Sequence, residues 1–196
     1  MLFNSYAFIF VFLPLALVGY LALSRFDSRR LSIGWLIVCS VGFYGIWNPL
    51  SLAIILPSIA INYILGLRIL RSVNTDGEAA DRHAHWLLVA GIVFNLCFLG
   101  YFKYKNFFLD SSNTVFGSQW PIVETILPLG ISFITFQKIA FLVDVRAGAI
   151  KEFNGLDFLI FVFFFPQLIA GPIVHYREMM PQFGTVSTRI RALYNI

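Results

Sequence analysis

Two stretches of this sequence set groups capable of chemistry inside otherwise apolar runs. Residues 161–182 read FVFFFPQLIAGPIVHYREMMPQ and carry Gln167, His175, Arg177 and Glu178. An imidazole exchanges its proton near neutral pH and can serve as a general base, so His175 is a candidate for proton transfer, with a plain interfacial histidine as the simpler reading. Arg177 and Glu178 read most simply as a solvated or interfacial ion pair of little energetic weight. The same stretch interrupts its own helix with Pro166 and with the Gly171-Pro172 pair, because each proline removes a backbone donor and clashes with the turn before it. Broken backbone at membrane depth is tolerated only where protein packs on it or where it lines a wet cavity. The stretch therefore reads as the wall of a site, with an ordinary proline-kinked span as the alternative.

The second stretch, residues 126–145, contains LPLGISFITFQKIAFLVDV and is interrupted by Pro128, Gly130, Gln137, Lys138 and Asp144. A charge near the bilayer centre costs on the order of 3 kcal/mol, so Lys138 and Asp144 must either lie near the interface or face a polar interior. On a helix Gln137, Phe141 and Asp144 share one face, which also receives Phe133 and could point into a cavity. Other polar groups suggest less. His83 and His85 form an H-x-H pair without a third ligand at metal-site spacing, and a solvated loop is the simpler reading. Cys39 and Cys97 stand singly in apolar runs and read as buried, inert thiols. No P-loop, dinucleotide fingerprint, nucleophile elbow or zinc-protease motif is present in the sequence.

The elements that must position these groups are membrane helices. Of 196 residues, 59% are hydrophobic and 12% charged, with a mean hydropathy of +0.80. That composition excludes a soluble globular domain. The apolar runs are continuous where a membrane barrel would alternate, which predicts an all-α polytopic bundle of about six membrane segments forming a single domain over residues 1–196. The net charge of +4 is spread in short clusters between apolar runs, which argues against nucleic-acid binding and for topology signals.

In chain order, residues 3–23 form a retained first span, followed by Arg25, Arg29 and Arg30. Residues 31–67 form a helical hairpin broken at Trp47-Asn48-Pro49. Residues 68–85 are expected to be a polar loop on the same side as the first one. Residues 86–102 form a fourth span ending in the Tyr101-Phe102-Lys103-Tyr104-Lys105 collar. Residues 107–120 read as an exposed loop whose aromatic residues dip into the interface. The basic loops predict an external N-terminus, and kinked or re-entrant helices are expected near Pro128, Pro166 and Pro172.

Five stretches carry a resemblance: MLFNSYAFIFVFLPL, FYGIWNP, LGYFKYKNFF, LPLGISFITFQKIAFLVDVRAG and FFPQLIAGPIVHYREMMPQF. Together they resemble the membrane-bound O-acyltransferase family, in the branch that includes alginate O-acetyltransferase membrane subunits. The resemblance implies a multi-pass protein of a bacterial inner membrane that takes an acyl group from a donor, acetyl or another acyl carrier, and passes it to hydroxyls of an exported polysaccharide such as alginate. It implies no bound cofactor or metal, and a periplasmic partner protein. Members are typically more than twice this length and carry their essential histidine beyond the region matched here. The expectation is thus an N-terminal portion that is inactive alone, with a non-catalytic scaffold or a small transporter as rival readings. The position matching His175 looks basic and arginine-like in the family, which suggests phosphate or headgroup contact in place of proton transfer. Gln137, Lys138, Asp144, Gln167, Gly171, Pro172, His175 and Arg177 are accordingly the substrate-path or donor-binding candidates.

Overall fold

The structure is a computed structural model that describes residues 5–26, 28–117, 119–121, 127–167 and 174–183. Gly171 and Pro172, and any kink they make, lie outside the described residues. Every element described is helical. A π-helical turn at Phe8–Phe12 runs into α1 (Leu13–Leu23), followed by α2 (Arg29–Trp47), α3 (Pro49–Val73) and α4 (Glu78–Leu99). A second π-helical turn at Gly100–Tyr104 leads to α5 (Lys105–Phe116), then come α6 (Ile131–Arg146) and α7 (Gly155–Phe163). Residues 176–183 are helical again.

Three runs are long and apolar enough to cross a membrane, namely Arg29–Trp47, Pro49–Val73 and Glu78–Phe116, and Phe8–Leu23 is a shorter apolar helix. With 16 and nine residues, α6 and α7 fall short of the roughly 20 that a crossing needs. The α2–α3 hairpin breaks where the sequence says it should. Asn48 is extended, its side chain accepts the Leu50 N–H at 2.9 Å, and Pro49 starts α3 where a missing N–H costs nothing.

Two expected loops are helix instead. The polar stretch 68–85 is divided between α3, which runs on to Val73, and α4, which begins at Glu78. Polar composition marks where the helices leave lipid, while Arg71 in the last turn of α3 and Glu78 and Asp81 in the first turn of α4 suit the helix dipoles. Residues 105–116 are likewise α5, closed by Gly117 in the left-handed conformation at φ 64°. Its serines and asparagines are what composition alone reads as a loop.

The core is aromatic where α2, α6 and α7 meet. Tyr44 stacks on Phe163 at 4.4 Å, and Phe141 meets Phe153, Phe158 and Phe161. Between α3, α4 and α6 the helices approach through small residues. A Cβ on Gly91 would come within 2.6 Å of Leu142, and one on Gly66 within 2.9 Å of Phe141. Asn62 and Asn95 join α3 to α4 by exchanging amide hydrogen bonds of 2.6 and 3.3 Å, and each also donates to a carbonyl four residues back.

Two ends of the bundle can be told apart. One carries Arg29, Asp81, Arg146, Asn154 and Asp157, and we call it the basic end. The other carries Trp47, Asn48, Leu129 and the Tyr101–Lys105 collar, and is the aromatic end. α7 starts at the basic end and, at about 1.5 Å per residue, advances only about 13 Å.

Candidate functional site at the basic end

The residues singled out by sequence converge on α7 and the chain that follows it. α7 is anchored at its start by Asn154, the N-cap, whose side chain accepts the Asp157 N–H at 2.9 Å and donates to Asp157 Oδ2 at 2.8 Å. Arg29, at the start of α2, grips the same carboxylate with both guanidinium nitrogens at 3.0 and 3.1 Å. At its other end α7 stops because Phe164 turns extended ahead of Pro166. The N–H of Phe165 is taken by Ser40 Oγ at 3.2 Å, well inside α2, and that hydroxyl donates in turn to the Leu36 carbonyl. Gln137 Nε2 donates to the Phe161 carbonyl at 2.8 Å, satisfying one of the orphan acceptors in the last turn of α7.

Beyond Gln167 the description resumes at Val174, and the chain is then back at the basic end. His175 Nδ1 lies 2.8 Å from Asp144 Oδ2, two residues before α6 ends, and Tyr176 packs between the rings of Phe141 and Phe161 at 5.4 Å from each. α7 starts at the basic end and His175 lies there again. The face of α6 formed by Gln137, Phe141 and Asp144 is covered by Phe161 of α7 and by His175 and Tyr176. Pro128, by contrast, lies in the turn before α6, where its carbonyl accepts the Ile131 N–H and Gly130 is left-handed at φ 67°.

The His175–Asp144 pair has a defined polarity. An ionised carboxylate only accepts, so His175 Nδ1 donates to Asp144 Oδ2. The Asp144 side chain is 15% exposed and that of His175 47%, which leaves the imidazole open on one side. Arg177 and Glu178 are both exposed, and among the described residues no salt bridge joins them.

Lys138 is elsewhere. It is fully buried between α3, α4 and α6, where its ammonium donates to Ser58 Oγ and lies 5.0 Å from the centre of the Phe98 ring. Of the two placements open to it, the structure takes the interior one. Gln167 lines an apolar groove of about 560 Å³ between α1 and the chain beyond α7, together with Leu13, Leu17, Tyr20, Pro166 and Met179.

The two histidines of the H-x-H pair sit on α4, where a spacing of two turns them to different faces, and no group of three potential ligands for a metal occurs among the described residues. Cys39 is buried and Cys97 exposed, so only the first fits the expectation of a buried thiol.

Sequence reasoning missed the clamp on α7. Asn154-x-x-Asp157 has the spacing of a capped helix start and was open to detection, whereas Arg29, 128 residues away, has no local signal. Ser40 and Ser58 carry none either.

Comparison with known proteins places the chain. No family model matches it. It is 38% identical to the peptidoglycan O-acetyltransferase of Helicobacter pylori over 93% of its own length and 38% of the relative. It is 40% identical to the probable alginate O-acetylase AlgI of Pseudomonas aeruginosa over 94% of its length and 35% of the relative. A shorter match, 38% identical over 30% of the chain, is to the teichoic acid D-alanyltransferase of Lacticaseibacillus rhamnosus. The chain spans about a third of the length of the relatives that it matches along most of its extent. Through these relationships, and in keeping with its five motif stretches, the chain belongs to the membrane-bound O-acyltransferase family, in the branch of the alginate O-acetylases.

Proposed function

We propose that this chain is the N-terminal portion of an O-acyltransferase of a bacterial inner membrane, one that moves an acetyl group onto hydroxyls of an exported polysaccharide such as alginate. The observation that carries the proposal is the alignment of almost the whole chain with proteins named for O-acetylation. In this reading the N-terminus is external and the basic end faces the cytoplasm, since clusters of Lys and Arg resist translocation. The re-entrant segment expected near Pro166 then opens toward the side from which an acyl donor arrives. A periplasmic protein receives or presents the polymer on the other side.

Acyl transfer to a hydroxyl requires a base within hydrogen-bond reach of the acceptor and donors preorganised around the developing oxyanion. His175 is assigned to the donor side: with its ring held by Asp144 and Arg177 close by in sequence, it contacts an anionic group of the donor. The proton of the acceptor is handled by the family's downstream histidine. Lys138, locked on Ser58, keeps α3 and α6 in register and touches neither substrate.

The test is reconstitution in lipid with an acetyl donor and an acceptor polymer. Residues 1–196 are expected to give no transfer above background, and the chain continued through the downstream histidine to give turnover. In that longer chain His175→Ala should cause a partial loss of about tenfold or less, appearing as a raised KM for the donor. Turnover by residues 1–196 that disappears in His175→Ala would overturn the assignment and make His175 the base.

A further inference from the structure

We propose that α5 lies in the bilayer surface at the aromatic end, with Phe108, Val115 and Phe116 turned into the lipid. The first observation is length. From Glu78 to Phe116 the chain is helical for 39 residues, interrupted only by the π-helical turn. At 1.5 Å per residue a straight rod would reach about 58 Å, while a bilayer with its headgroups measures about 40–45 Å. Residues 78–85 are polar and lie outside the lipid, and the roughly 20 residues that a crossing needs, counted from Trp86, end at the collar, so the last dozen do not belong to the crossing.

The second observation marks where the crossing ends. Lys105 Nζ sits 5.2 Å from the ring centre of Tyr101, and Lys103 Nζ 5.3 Å from that of Tyr104. Aromatic rings paired with ammonium groups are the usual furniture of the headgroup level, where both a phosphate and an apolar edge are available. Immediately there the backbone leaves the regular helix, with Tyr104 at φ −114° and ψ −6° ahead of α5.

The third observation is the face that α5 presents. None of its residues is buried, and Phe108 is 65% exposed, Val115 72% and Phe116 79%. At about 100° per residue Phe108 and Val115 point within about 20° of one another, with Phe107 and Phe116 on either flank and the small Ser111 and Ser112 between them, while Asp110 and Asn113 lie on the opposite side. An apolar arc of this size at an aqueous surface is unfavourable, since burying one such side chain yields about 2 kcal/mol.

The occupant follows from continuity. The apolar arc begins at the collar that ends α4, a helix whose Val93 and Leu96 are themselves exposed. Lys103 and Lys105 complement lipid phosphates at its edge. The far end is fixed as well. Gly117 turns the chain back, and Asn113 and Trp120 exchange hydrogen bonds of 2.9 and 3.0 Å, leaving the exposed Trp120 indole beside the helix. A short helix with an aromatic face and a small polar back, flanked by Lys and Trp, is built to lie along an interface.

The experiment uses the whole chain, with Cys39→Ala and Cys97→Ala, in vesicles of phosphatidylethanolamine and phosphatidylglycerol. Single cysteines are introduced as Phe108→Cys, Val115→Cys, Asp110→Cys and Asn113→Cys and labelled with bimane. Lipids brominated near the glycerol end of the acyl chain should quench the label at 108 and 115 at least about threefold more than at 110 and 113. Iodide in the buffer should give the reverse order. Phe116→Cys replaces either apolar position if that variant fails to insert. Equal access of iodide to all positions would place the helix in water. Protection of 108 and 115 from both quenchers would mean that protein covers the face. Either result overturns the proposal.

Discussion

At the basic end, side chains from elements distant in sequence are tied through carboxylates: Arg29 to Asp157, Arg146 to Asp81 and His175 to Asp144. At the aromatic end the ties between elements are neutral or weak, with Tyr44 Oη donating to the Leu129 carbonyl at 3.1 Å and Lys103 reaching Ser132 at 3.4 Å. The difference follows from what each end holds. The basic end must fix a helix too short to hold itself across a bilayer, and a bidentate guanidinium–carboxylate grip with a capping amide gives that helix a defined position. The aromatic end presents rings and ammonium groups to the headgroups, so less protein is needed to organise it.

The comparison can be broken most directly at Asp157. Asp157→Ala removes the acceptor of Arg29 and of Asn154 at once, and it should cost about 2 kcal/mol of stability against reversible unfolding in bicelles, since the carboxylate is buried while the guanidinium is partly screened by solvent. If the variant unfolded like the parent, α7 would be held by its rings alone. A smaller effect is expected at the opposite end. Tyr44→Phe leaves the Leu129 carbonyl without its donor but keeps the stack on Phe163, and should cost about 1 kcal/mol in the same assay. A loss as large as that of Asp157→Ala would erase the distinction between the ends.

The smallest effect sharpens the comparison within the basic end. Arg146→Gln breaks an ion pair whose Asp81 side chain is 69% exposed, and should shift stability by less than about 0.5 kcal/mol. Were it to match Asp157→Ala, charge at this end would matter in general, and the grip on α7 would not be special.

The features legible in the sequence were those coded by neighbours. Asn48-Pro49 set the α2–α3 hairpin, the apolar runs gave an all-helical membrane protein, and Pro166 marked the end of α7. Polar composition misled at residues 68–85 and 107–120, because a helix that leaves the bilayer takes on polar residues without losing its hydrogen bonds. The helical face of Gln137, Phe141 and Asp144 was read correctly as a face, yet its occupant was out of reach. Gln137 meets the Phe161 carbonyl 24 residues on, Asp144 meets His175 31 residues on, and Lys138 finds Ser58 80 residues back. Such partners are selected by packing, and no periodicity in one chain reports them.

The nine residues of α7 have a consequence for how the protein is made. A segment that short is not handed to the membrane as a crossing in its own right, and its backbone ends need partners before they can leave water. All of the partners described for those ends, namely Arg29, Ser40, Gln137 and Asn154, are synthesised before the segment is complete. The residues that hold α7 thus emerge from the ribosome ahead of the segment they anchor.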